Sequence, residues 1–230
     1  MARTSDHRVR AIAHLAEKIG KMGDGATARQ LQAEVNRLSR GAAALDSVNA
    51  NRSPLDTEAA HAVKVAKMAR KFDSEVTAVI NRAGQVMRDG HQEVQRRIDE
   101  KVDLKPDNFA MEIRTRFFGL DASAKSELVN RLVKENRGPE LAAIVKAPSV
   151  LTGISDEQRG LYEQAIISTH AAAELDDKTR IDDALKAVLA ATGTAANFVK
   201  DLTDPNKLAK IEQGEAAAIA AGEAFNQSLQ

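Results

Sequence analysis

The chain contains no cysteine and no tryptophan, one tyrosine and six phenylalanines, and only five prolines and 13 glycines in 230 residues. Without cysteine there can be no disulfide, no thiolate metal site and no thiol nucleophile. The shortage of aromatics and the lack of β-branched runs argue against a sheet. No apolar run approaches the roughly 20 residues that span a bilayer. The charged start, MARTSDHRVRAIAHLAEK, has no uninterrupted apolar stretch of the secretory kind. A soluble protein without signal peptide, transmembrane segment or membrane partner is expected.

Large apolar side chains are scarce as well. Hydrophobic residues make up 43% of the chain, but 41 of them are alanines. Burial contributes roughly 25 cal/mol per Å², and alanine offers little area, so a thick central core is hard to assemble. Helices packed over long, thin contacts are the natural alternative. The expected fold is all-α. Residues 1–104 should form an elongated helical hairpin or coiled-coil-like half, and residues 105–230 a compact helical half ending in a tail rich in small residues.

The net charge is zero but unevenly spread. Residues 1–40 hold eight Lys and Arg against four Asp and Glu, whereas residues 151–230 hold seven against 13. A chain polarised in this way can associate head to tail or turn its basic end toward an anionic partner. A solvated surface of uneven charge is the plainer reading.

Apolar spacing gives the elements. Val9, Ile12, Leu15, Ile19 and Met22 mark an amphipathic helix with Ser5 as a candidate cap, ending at MGDGAT. Thr27 and Gln30 form a candidate capping box for a helix to about residue 48. Leu31, Val35, Leu38, Ala42 and Leu45 give that helix a heptad seam. Ser53 and Pro54 suit the start of the next helix, whose seam runs through Ala69, Phe72, Val76, Val79, Ala83 and Val86. If Gly84 and Gly90 are tolerated, that helix covers 54–104, about 75 Å at about 1.5 Å per residue; a break at Asp89-Gly90 is the alternative. Beyond LKPDN, 15 of the 43 residues from 109 to 151 are large and apolar, which predicts a helical knot. Asp121 is a candidate cap within it. In VKAPSVLTGISDEQ, Pro148 and Gly153 end one helix, Ser155 and Gln158 form a capping box for the next, and Val150, Leu151 and Ile154 can pin the turn onto the knot. Thr179 should cap a further helix, ATGTA interrupt it, and Asp204-Pro205 restart the chain into EAAAIAAGEAF. That tail can pack tightly against another helix or fray.

The motifs of common chemistries are missing. His7 and His14 lie two helical turns apart and the other histidines are isolated, which is not the spacing of a zinc hydrolase. The acids of ELDDKTRIDDAL lack the glycine and the spacing of a calcium loop and suit a helix start instead. Neither GxxxxGK[ST] nor GxSxG occurs. No catalytic, cofactor-binding or metal-ligating residue is therefore assigned, and no cofactor is expected. Arg3, Arg8, Arg10, Lys18 and Lys21 gather on the first helix and are candidate phosphate contacts with salt-dependent affinity. Acids dilute them, and no aromatic stands among them to stack on bases.

The order of features resembles that of helical accessory proteins of tailed bacteriophages: an alanine-rich, cysteine-free chain, a basic start, a long heptad helix, then a knot around ELAAIVKAPSVLTGISDEQRGLYEQAI. The resemblance implies a virion or assembly component acting through protein contacts, in a virion or inside the cell. The leading expectation is a non-enzymatic protein that forms a homo-oligomer or larger assembly by helix–helix contact. The candidate contacts are Leu31, Val35, Leu38, Phe72, Val76, Phe109, Phe117, Leu151 and Ile154. A nucleic-acid-associated protein using the basic N-terminus is the alternative, and an enzyme with a dispersed helical site is a third.

Overall fold

The computed structural model describes residues 2–23 and 25–228, without the side chains of 2–5, 207, 212, 215 and 225–228. All regular structure among them is helical: α1 (Ala2–Gly20), α2 (Ala26–Ala50), α3 (Glu58–Val102), α4 (Ala110–Phe118), α5 (Ala122–Lys134), α6 (Gly138–Val145), α7 (Ser149–Thr152), α8 (Asp156–His170), α9 (Ala172–Leu202) and α10 (Pro205–Ser228). The all-α class expected from composition is thus the class observed. Two compact units are present, one of residues 1–87 and 182–230, the other of 88–181. Their boundaries fall inside α3 and α9.

In the first unit, four helical segments share one hydrophobic cluster. Ile12, Ala16 and Ile19 enter it from α1, and Leu31, Val35, Leu38, Ala42 and Leu45 from α2. Ala69, Phe72, Val76, Val79 and Ala83 come from α3, and Ala184, Val188, Ala191, Ala195 and Phe198 from α9. Small and large residues complement each other across the contacts. A Cβ on Gly41 would lie 2.7 Å from the Phe72 ring, so α2 presents bare backbone where α3 presents its aromatic side chain. Arg82 of α3 bridges Glu34 of α2 at 2.9 Å and Glu75 at 2.6 Å. Positions 34 and 41 of α2 thus meet 82 and 72 of α3, in opposite order along the two helices. Arg8 of α1 pairs with Asp201 of α9 at 2.7 Å.

Several helix boundaries differ from the sequence expectation. α1 begins at Ala2, which places Ser5 inside the helix, its side chain outside the described atoms. α2 is preceded by Gly25 in extended conformation with no side-chain cap, so Thr27 and Gln30 lie within the helix and form no box across its start. α3 starts four residues later than Pro54. Ser53 Oγ accepts from Leu55 N in a turn, and Thr57 Oγ1 supplies the cap by accepting from Ala60 N at 3.1 Å. The helix then passes through Gly84 and Gly90 unbroken to Val102. Thr179 caps nothing; its hydroxyl donates to Leu175 O inside α9. ATGTA does not interrupt α9 either. Thr192 and Thr194 donate to the carbonyls of Leu189 and Ala190, while Ala191 and Ala195 are buried in the core. Packing on both sides of Gly193 outweighs its cost of about 1 kcal/mol as a helix former. Asp121, the Ser155–Gln158 box and the restart at Pro205 are as expected.

The second unit is built around α6. GPELAAIV is buried at Gly138 and at every residue from Leu141 to Val145, and α4, α5 and α8 pack around it. Its entry is sterically tight. A Cβ on Gly138 would stand 1.7 Å from the Val102 carbonyl oxygen. Asn136, at φ 53, ends α5 and donates from Nδ2 to Lys101 O at 3.0 Å. Near the same helix end, Lys101 Nζ lies 2.8 Å from Oε1 of the buried Glu174, and Arg97 pairs with Asp177 at 2.8 Å. The hydrogen bond from Lys101 holds the Glu174 carboxyl below its ordinary value.

The same substitution should act in opposite directions at two glycines. Gly138→Ala has to displace backbone and is expected to cost about 3 kcal/mol or more in urea unfolding. At Gly193 no heavy atom lies within 4 Å of an added Cβ, so Gly193→Ala should gain about 0.5–1 kcal/mol. A neutral Gly138→Ala would contradict the close approach. Glu174→Gln should lower stability at neutral pH by about 1–3 kcal/mol. Because the folded carboxyl titrates below the unfolded one, its contribution is present above the unfolded value of about 4.3 and fades as pH falls through the folded value. The two stability curves should therefore converge only once the pH has fallen below the lowered folded value.

Candidate interaction surface

The turn between α6 and α8 is fixed from three directions. α6 leaves carbonyls unpaired at its C-terminal end, where cationic donors are favoured. Arg114 of α4 donates from Nε to Ala143 O at 2.7 Å, and Arg159 of α8 from Nη1 to Ala147 O at 2.7 Å. Lys146 reaches Glu163 of α8 at 2.9 Å. Pro148 then directs the chain into α7, a single turn closed by Gly153 in the left-handed region at φ 67. Gly153 N donates back to Ser149 O at 2.7 Å, and Ser149 Oγ donates to Asp156 Oδ1 at 3.1 Å. Ser155 accepts from Gln158 N while its own N–H donates to the Gln158 side chain.

This geometry divides the apolar side chains of the turn. Ile154 and Thr152 point inward and are buried. Val150 is 78% exposed and Leu151 47% exposed, so neither pins the turn to the core as the sequence suggested. On α4, against which α7 packs, Phe117 is buried and its neighbour Phe118 is 56% exposed. Helical spacing sets Met111, Thr115 and Phe118 on one outward face, and Phe109 stands exposed just before the helix. Lys125 of α5 lies over both rings, its Nζ 5.4 Å from the Phe117 centroid and 5.6 Å from that of Phe118, a cation–π arrangement. Lys125 Nζ would be 3.2 Å from a Cβ at position 153, a contact its flexible side chain can relieve, so the positive φ is what calls for glycine here. Among the described residues neither Lys125 nor Arg114 has a carboxylate partner.

The candidate contact residues separate accordingly. Leu31, Val35, Leu38, Phe72 and Val76 are buried in the first unit, where they form the core of the chain itself. Phe117 and Ile154 are buried in the second. Phe109 and Leu151 are exposed, and only they belong to the outward apolar surface. Met111, Phe118 and Lys125 were not singled out in the sequence. Their signal was a second stripe, Met111 and Phe118 seven residues apart, offset from the inward side of α4, where Ile113 is half-buried and Phe117 buried.

The basic candidates are partly engaged. Arg8 pairs with Asp201, and Arg10 lies 3.0 Å from Asp6 through Nε. Lys18 is close enough to Asp183 to help Lys186 hold that carboxyl down. Lys21 is exposed, and the Arg3 side chain lies outside the described atoms. Among the described residues no three His, Asp or Glu side chains are grouped to hold a metal ion. None of the described helices is long and apolar enough to cross a membrane. A depression of about 560 Å³ on α3 is lined by polar residues including Gln92, Arg96, Asp99 and Glu100. Arg96 is already held there by Glu93 at 2.6 Å and by Glu100. No family model, no curated protein and no solved structure matches the chain.

Thr152 offers a test of the turn. Its hydroxyl is fully buried and has no hydrogen-bond partner among the described residues, so an apolar isostere removes an unmet polar group. Thr152→Val is expected to raise the unfolding free energy by about 1 kcal/mol. A loss of stability would mean that the hydroxyl is satisfied.

Proposed function

We propose that the protein is a non-enzymatic assembly component that works through helix–helix contacts and docks by the face formed by α4 and α7. The observation carrying this reading is the exposure of Phe118 at the end of α4 and of Val150 and Leu151 on the adjoining turn, which two arginines, a capping box and a left-handed glycine hold. An apolar surface kept on a fixed backbone is the usual mark of a contact site. It binds without ordering a loop first. The opposed order of contacts between α2 and α3 supports a helical hairpin with a coiled-coil-like seam. Burial of that seam gives it the task of holding the unit together. The resemblance to bacteriophage accessory proteins supplies the setting, a virion or an assembling particle. The nucleic-acid reading relies on the first helix, where Arg8 and Arg10 already have acidic partners, and nothing else in the fold favours it.

Site-specific photocrosslinking in the source cells tests the reading. A benzophenone side chain at position 151 should give one dominant protein adduct. The same group at position 55, exposed but outside this face, should give none. Equal, diffuse labelling from both positions would overturn the assignment of the α4–α7 face.

A further inference from the structure

The α4–α7 face calls for an occupant with apolar side chains and negative charge, because Lys125 and Arg114 stand at it without carboxylate partners among the described residues. Glu112 is on the adjoining side of α4, away from Phe118 by helical spacing. The chain itself carries a segment of this chemistry. α10 is anchored where Leu208 is buried, beside a depression lined by Arg70, Asp73 and Val199. From Gln213 to Ala224 every described side chain is exposed. Residues 211–224, IEQGEAAAIAAGEA, contain three glutamates and no lysine or arginine. Helical register puts the exposed Glu223 four residues after the exposed Ile219, on the same face, with Gly222 beside it. A helix this poor in large side chains draws little stability from its own sequence and is normally held by packing. That packing is missing at the described side chains from Gln213 to Ala224.

We infer that the acidic segment of α10 around the exposed Ile219 of one copy docks on the α4–α7 face of a second copy. The contact rests on the assignment of that face as the docking site and names its partner. Ile219 meets Phe118 and Leu151, Glu223 meets Lys125, and Ala216 and Gly222 allow close approach. Because the two surfaces differ, the interface is heterologous. Each copy keeps one free face and one free tail, so association continues into a chain or closes into a ring.

Light scattering and sedimentation of the purified full-length protein, with Leu151→Glu and Ile219→Lys variants, test this directly. Wild-type mass should rise with concentration and fall again with added salt, while each variant stays monomeric. An equimolar mixture of the two variants should reach the mass of a dimer and stop there, since only one intact face and one intact tail remain to meet. Should Leu151→Glu lose its circular dichroism signal, the more exposed Val150→Glu takes its place. A wild-type protein that is monomeric at every concentration overturns the inference and leaves the crosslinking test of the face standing on its own. Self-association abolished by Leu151→Glu but untouched by Ile219→Lys overturns α10 as the occupant while upholding the face.

Discussion

Burial of α6 on all sides is the constraint from which the second unit follows. A helix of eight residues without polar side chains after Glu140 cannot face water, and its terminal carbonyls cannot be left unpaired. Both demands are met by neighbours. Gly138 lets the helix begin against the Val102 carbonyl, and Arg114 and Arg159 complete its far end. Those arginines come from α4 and α8, so satisfying α6 also sets where the turn of α7 lies. Exposure of Phe118 and Leu151 is then a product of backbone geometry at Pro148 and Gly153 and not of a loose loop.

The first unit solves a different problem, the shortage of large side chains. Its cluster alternates Leu, Val, Ile and Phe with alanine, and one ring is placed over a glycine. Close approach makes small residues effective, because dispersion depends on contact density as much as on side-chain size. The same economy makes the seam unavailable to partners: Leu31, Val35, Leu38 and Val76 are spent on the bundle. What remains for contact is the small set of large apolar groups the fold leaves outside.

Much of the fold was legible. Composition gave the all-helical class, periodicity gave Ile12 and Ile19 of α1, the seam of α2 and most of that of α3, and local chemistry gave the Asp121 cap and the Ser155–Gln158 box. The errors share a cause. Thr27, Ser53 and Thr179 have the side chain of a cap, but a hydroxyl can equally serve a turn or bond back to a carbonyl within a helix, and packing chooses among these. ATGTA was misread for the same reason, since the burial of Ala191 and Ala195 is a tertiary fact. For the candidate surface, spacing located the knot but not its outward side. Phe117 and Phe118 are identical as residues, and only the path of α6 and α7 decides which of them is buried.

Contact through the α4–α7 face, and not through the buried seam of α2 and α3, is what we propose. Amide hydrogen exchange across the whole chain, compared between dilute and concentrated protein, addresses it most directly. The account expects slowed exchange on association in residues 109–118 and 149–153, with residues 31–45 unchanged. Protection that instead appears along residues 31–45 and 72–83, with the α4–α7 segment unaffected, would contradict it.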